Sequence, residues 1–232
     1  MKITIALLLL LTVLSCKKDK RSTKEGEVKG LVSNDFGVPL SHATIIIDHD
    51  IFFNTTIRTK TGSDGKYLLK VPHGSWYAFA IFEKEYRGKR YKFYLHPNDN
   101  ASFGGEGAER NFTWKLTGEK ASPLSGFYGG LITIDNYPGV YIDKADIEFK
   151  LVPQGKLIDD TEGSILILKA ADGYQLKDIP IGTYKITAKY RGEILKLRKW
   201  NTEDDFVNEL LLDFEPQIDG QCDNCFKIEY NQ

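Results

Sequence analysis

A chain of 232 residues that sets 31 Lys and Arg against 32 Asp and Glu carries a formal net charge of −1. That balance leaves no obvious basic face to neutralise phosphates, so nucleic acid is not an expected partner. Beyond residue 16 no apolar run approaches the roughly 18–20 residues of a membrane-crossing helix, and the length exceeds one usual domain of roughly 100–150 residues, so two are expected.

The N-terminus comes first. Met1-Lys2 is basic, and Ile3 to Leu14 is apolar apart from Thr4 and Thr12. A basic start followed by a short apolar run is the pattern of a secretory leader. Val13-Leu14-Ser15-Cys16, followed by the charged Lys17-Lys18-Asp19-Lys20-Arg21, resembles the lipobox of bacterial lipoproteins. The resemblance implies a signal peptide over 1–15, acyl chains on Cys16, and a lipidated tether over 16–26. Several acyl chains hold a membrane far better than one. Val13 stands where Leu is more usual, and an ordinary leader with an accidental Cys is the alternative. Lys17 stands where an Asp would retain a Gram-negative lipoprotein at the inner membrane, which implies the outer membrane.

From residue 27 the periodicity is that of strands. Val28, Gly30 and Val32 alternate, as do Thr44, Ile46 and Asp48 against Ile45 and Ile47; Tyr67 to Val71 is β-prone, and Trp76 to Phe82 is aromatic on both parities. Asp64-Gly65 is turn chemistry, because Gly accepts a positive φ and Asp caps its own turn.

Residues 96–111 read as a long connection between aromatic-rich strands, and long loops on rigid sandwiches are either functional or disordered. Tyr91, Phe93 and Leu95 face one side and Lys92 and Tyr94 the other; Phe112 and Trp114 follow the loop. Two readings stand side by side. An exposed platform of Tyr91, Tyr94, Phe103 and Trp114, with Asp99, Asn100, Glu106 and Arg110 beside it, would suit a sugar ring. Alternatively the rings fill the core, as aromatics do in β proteins. Asp99 and Glu106 together fall short of the oxygen set a calcium ion wants. Asn54-Thr55-Thr56, Asn100-Ala101-Ser102 and Asn111-Phe112-Thr113 fit the glycosylation pattern only by coincidence in a bacterial lipoprotein.

Gly118 to Gly126 has linker composition, and 119–126 is taken as the joint between units at 27–118 and 127–232. In the second unit Gly130 to Ile134, Ala145 to Val152, Ser164 to Lys169, Tyr184 to Tyr190, Leu210 to Phe214 and Phe226 to Tyr230 read as strands. Thr202-Glu203-Asp204-Asp205 resembles a helix start. Cys222 and Cys225 are the pair left once Cys16 is lipidated; an oxidising compartment favours a disulfide across a tight turn. Free thiols, a redox motif or a metal role are the alternatives, the last two lacking a helix N-terminus and further ligands.

The chain also repeats itself. Asp64-Gly65 and Val71-Pro72-His73-Gly74-Ser75-Trp76 recur 108 residues later as Asp172-Gly173 and Ile179-Pro180-Ile181-Gly182-Thr183-Tyr184. Tyr86-Arg87-Gly88 recurs as Tyr190-Arg191-Gly192. Ordered matches of this kind point to two copies of one all-β sandwich. In the first copy, Gly30-Leu31-Val32, Gly37-Val38-Pro39-Leu40, Ala43, Thr61, Asp64-Gly65, Tyr67, Pro72 and Gly74 resemble the carboxypeptidase regulatory-like domain. That resemblance implies tandem transthyretin-like (Ig-like) sandwiches and a non-catalytic role. In the second copy the Gly-x-Pro-Leu element has become Pro138-Gly139-Val140-Tyr141.

Neither a Gly-x-Ser-x-Gly elbow nor a Gly-x-x-x-x-Gly-Lys loop occurs, and no His-x-x-Glu element of a zinc carboxypeptidase. Gly104-Gly105-Glu106-Gly107 follows no strand-to-helix step and reads as a loop. His96-Pro97-Asn98-Asp99 is a turn and an incomplete metal set. The expectation is a binding or structural protein without enzyme activity, cofactor or metal. Its expected partners are the membrane, through its lipid, and an envelope protein presented with an edge strand or loop face; a glycan is the second candidate.

Overall fold

The computed structural model describes residues 24–218 and 222–232. The proposed leader, Cys16 and the tether up to residue 23 lie outside the described residues.

The fold is all-β, as expected. The first half contains β1 (Glu27–Asn34), β2 (Thr44–His49), β3 (Thr56–Lys60), β4 (Lys66–Lys70), β5 (Trp76–Tyr86), β6 (Lys89–Tyr94), β7 (His96–Pro97), β8 (Ala108–Glu109) and β9 (Phe112–Trp114). The second contains β10 (Gly130–Asn136), β11 (Ile147–Pro153), β12 (Leu166–Lys169), β13 (Gln175–Ile179), β14 (Thr183–Tyr190), β15 (Glu193–Lys199), β16 (Leu210–Asp213), β17 (Glu215–Ile218) and β18 (Cys222–Asn231). Among the described residues the one helical element is a 3-10 turn, Lys144–Asp146, capped by the Asp143 carboxylate accepting from the Ala145 amide. Residues 201–209 form no helix, so that start signal led nowhere.

Two sheets build the first half. One has the order β4-β1-β9-β7 with β8 beside β1; the other has the order β3-β2-β5-β6. Alternation puts Val28, Val32, Ile45, Ile47, Tyr67, Leu69, Trp76 and Ala78 inward, where they pack as one core. The second half repeats seven strands of this order. β13-β10-β18 matches β4-β1-β9, antiparallel then parallel in both, and the antiparallel run β12-β11-β14-β15 matches β3-β2-β5-β6. One difference has a plain cause. β18 is ten residues long and reaches β15, fusing the second half into one nine-stranded sheet, whereas β9 has three residues and pairs only with β1 and β7.

The repeated motifs do the same local work twice. Arg87-Gly88 and Arg191-Gly192 are two-residue hairpin turns with positive φ at both positions, which matches the right-handed twist of the strands they join. The Trp76 indole donates to the Pro72 carbonyl at 3.0 Å, and the Tyr184 hydroxyl donates to the Pro180 carbonyl at 2.8 Å. Each ties a bulky aromatic to the proline that follows the preceding strand.

Between the halves, Glu119 bridges Phe127 and the Lys120 amide donates to the Gly126 carbonyl. The Asp178 carboxylate accepts from the Gly118 and Gly129 amides at 2.8–3.1 Å, closing residues 118–129 into a loop. Further contacts tie the halves directly. Lys84 pairs with Asp160 at 2.7 Å, Lys89 with Asp213 at 2.9 Å and Glu215 at 3.2 Å, and the buried Tyr91 hydroxyl donates to the Phe214 carbonyl. Buried apolar residues from both halves belong to one cluster.

Cys222 and Cys225 are joined in a disulfide, but not at a turn between strands: both lie in β18. A straight strand would set Cα atoms three residues apart at about 10 Å. Here they are 6.0 Å apart, because Asn224 takes φ 56 and kinks the strand.

Candidate functional site

The residues proposed for ligand binding do not form an exposed platform. Tyr91, Phe103 and Trp114 are buried. Tyr91 stacks on Phe93 at 6.4 Å between centroids, and Trp114 meets the same ring at a tilt, 5.3 Å away. Burial also drives the Tyr91 phenol far above its ordinary titration range. Tyr94 alone of the four rings is partly exposed. The core-filling reading of the rings therefore describes this molecule, since on a sandwich strand one parity is buried by the opposite sheet.

The polar members of that set are turned onto their own chain. The nearly buried Arg110 guanidinium pairs with Asp99 at 3.0 Å, donates to the Ala101 carbonyl at 3.0 Å and lies 5.3 Å from the Phe103 ring centroid. Asn100 donates to the Ser122 carbonyl, and the Glu106 carboxylate accepts from the Gly104 amide, which holds its pKa below the ordinary value. Segment 96–111 is thus strapped down rather than loose. It contributes β7 and β8, and Phe103 exchanges two backbone hydrogen bonds with Trp76. Asn111 repairs the ladder where β8 gives way to β9: its side-chain oxygen accepts from the Leu31 amide at 2.7 Å. Gly30 lets this strand cross, since a Cβ there would sit 1.8 Å from the Arg110 carbonyl oxygen. Among the described residues no group of three or more His, Cys, Asp or Glu side chains is placed to hold a metal ion.

Two exposed apolar features stand out instead, and neither figured among the candidate residues. The first is β12, hydrogen-bonded among the described residues to β11 alone, with Ile167 62% exposed on it and Ile165 56% exposed just before it. The second is the β2–β3 loop, where Ile51, Phe52 and Phe53 are 75%, 62% and 100% exposed. Three large apolar residues between Asp50 and Asn54 were the available signal for it. The loop is firmly built. His49 Nδ1 accepts from the Ile51 and Phe52 amides at 3.1 and 3.2 Å, and the His49 ring packs on Phe52 and Trp76.

No family model matches the chain, and no curated protein does. Among solved structures the chain is similar to the Bacillus anthracis TIE protein, with 16% identity and a TM-score of 0.34 over 89% of this chain and 34% of that one. It therefore spans about a third of that protein's length. It is also similar to the major pilin protein of Streptococcus pyogenes, with 13% identity and a TM-score of 0.28 over 90% of this chain and 96% of the other. A single B repeat unit of the collagen-binding surface protein of Staphylococcus aureus gives 10% identity and a TM-score of 0.24, over 90% and 98%.

Proposed function

We propose that this chain is a non-catalytic module of the bacterial cell envelope. In this reading it is held at the outer membrane by acyl chains on Cys16 and carries two tandem transthyretin-like sandwiches at 27–118 and 127–232. It docks an envelope protein along the free edge of β12. The observation that carries the docking is the chemistry of that edge. Exposed edge strands are usually blunted with charge or proline, because their unpaired N–H and C=O groups recruit other strands. Here Lys169 is the only charge on the strand, and Ile165 and Ile167 stand exposed along it. An extended segment of a partner would add backbone hydrogen bonds there and seat alternate side chains against the two isoleucines. The Cys222–Cys225 disulfide supports export, since such bonds persist in oxidising compartments.

The test is site-specific photo-crosslinking from position 167 in the native envelope, with Tyr174 as an exposed control position. A discrete adduct from 167 that Ile165→Lys weakens supports the reading. Equal capture from both positions, or none from 167, overturns it. Exposed substitutions of this kind change stability by about 0.5 kcal/mol or less, so loss of the adduct reports on the edge.

A further inference from the structure

From the β2–β3 loop we infer that Ile51, Phe52 and Phe53 dip into the membrane that anchors the chain, fixing how the first sandwich stands on the lipid surface. The inference rests on the lipid-anchor part of the proposed function.

Topology supplies the first argument. Glu27, at the start of β1, is paired with Lys70, at the end of β4, and His49, at the end of β2, is paired with Trp76, at the start of β5. The chain's approach through residues 24–26 and the apolar loop are therefore at one end of the sandwich. Contacts run across that end without a break. The Gly26 amide donates to the Gly105 carbonyl, His73 lies 3.8 Å from Glu25, and the Asp50 amide donates to the Ser75 carbonyl at 2.9 Å. From Cys16 to Lys24 is eight residues, a reach of at most about 28 Å when fully extended. A chain held at Cys16 keeps this end of the first sandwich within about 28 Å of the lipid.

The shape of the loop supplies the second. Successive side chains on a tight loop point in different directions, so one flat protein surface could cover only some of them. A fluid apolar phase covers all three, including Phe53, which is fully exposed. The flanking Asp48 and Asp50 offer no attraction to anionic headgroups, so what takes up this loop is the apolar boundary of the bilayer rather than its headgroup charge.

The experiment couples the chain beginning at Cys16, through that thiol, to a maleimide lipid in phosphatidylcholine vesicles; the other two cysteines are bonded to each other. Phe53→Trp is compared with Phe36→Trp, another exposed aromatic position (68%), in the β1–β2 loop at the opposite end. Brominated acyl chains are expected to quench the added Phe53→Trp emission several-fold more strongly than that of Phe36→Trp. Phe52→Asp in the same chain should abolish the difference. Equal quenching of the two positions, or none at 53, overturns the inference; the latter is also what a loop reserved for a protein partner would give. Chemical coupling keeps this readout independent of acylation in the cell. Mass measurement of the native Cys16 peptide tests the anchor separately, so the two failures are distinguishable.

Discussion

At the scale of single residues, burial decides roles that residue type alone leaves open. Arg110 looks like a ligand-binding cation in a loop but holds that loop together, through Asp99, the Ala101 carbonyl and Phe103. His96 is another such group. Its Nδ1 lies 3.1 Å from the Tyr128 hydroxyl; partial burial, with Lys115 nearby, lowers its pKa against a smaller opposing effect of Asp35. Its folded-state pKa therefore lies below the unfolded value of about 6.5. The unfolded chain binds the proton more readily, so stability from this group is intact above the unfolded pKa and falls as pH drops through it towards the folded one. Urea midpoints at pH 7.5 and 5 should fall further for the wild type than for His96→Gln. Identical falls would show that His96 is not the group responsible.

At the scale of elements, the turns carry most of what could be read in advance. Asp64-Gly65 and Asp172-Gly173 announce the same turn twice, and both glycines have positive φ. Their surroundings differ. A Cβ on Gly65 would lie 2.6 Å from the Val32 carbonyl oxygen, whereas on Gly173 it would meet nothing closer than Lys144 at 3.7 Å. Gly173→Ala should then cost only the left-handed backbone strain, about 1 kcal/mol. Gly65→Ala adds a clash with backbone that cannot move aside, for about 2–4 kcal/mol in total. Denaturant titration of the two variants measures both, and equal losses would contradict this account. Among the strands missed in the sequence, β13 and β15 carry Lys177, Glu193, Lys196 and Lys199 outward, so Leu176, Leu195 and Leu197 carry the burial signal thinly.

At the scale of the whole molecule, the two halves share a strand order yet do not stand apart. Tyr91 is the clearest case: its ring belongs to the first half's core and its hydroxyl to the carbonyl of Phe214 in the second. With one continuous buried cluster and the Asp178 clasp over residues 118–129, unfolding of either half exposes apolar surface on the other. Calorimetry should accordingly give a single transition, with equal calorimetric and van't Hoff enthalpies. Two separated transitions would mean that the contacts between halves contribute little.

The sequence by itself determined what is local: alternation for strands, Asp-Gly for turns, and the order of motifs that repeats from the first half to the second. These follow from two-residue periodicity and backbone sterics, which neighbours in the chain settle among themselves. Only the tertiary structure decided which parity of each aromatic strand is covered, that residues 96–111 are strapped rather than free, and that Ile51–Phe53 and the β12 edge are left uncovered. Burial depends on which distant strand lies opposite, and no window of sequence contains that strand.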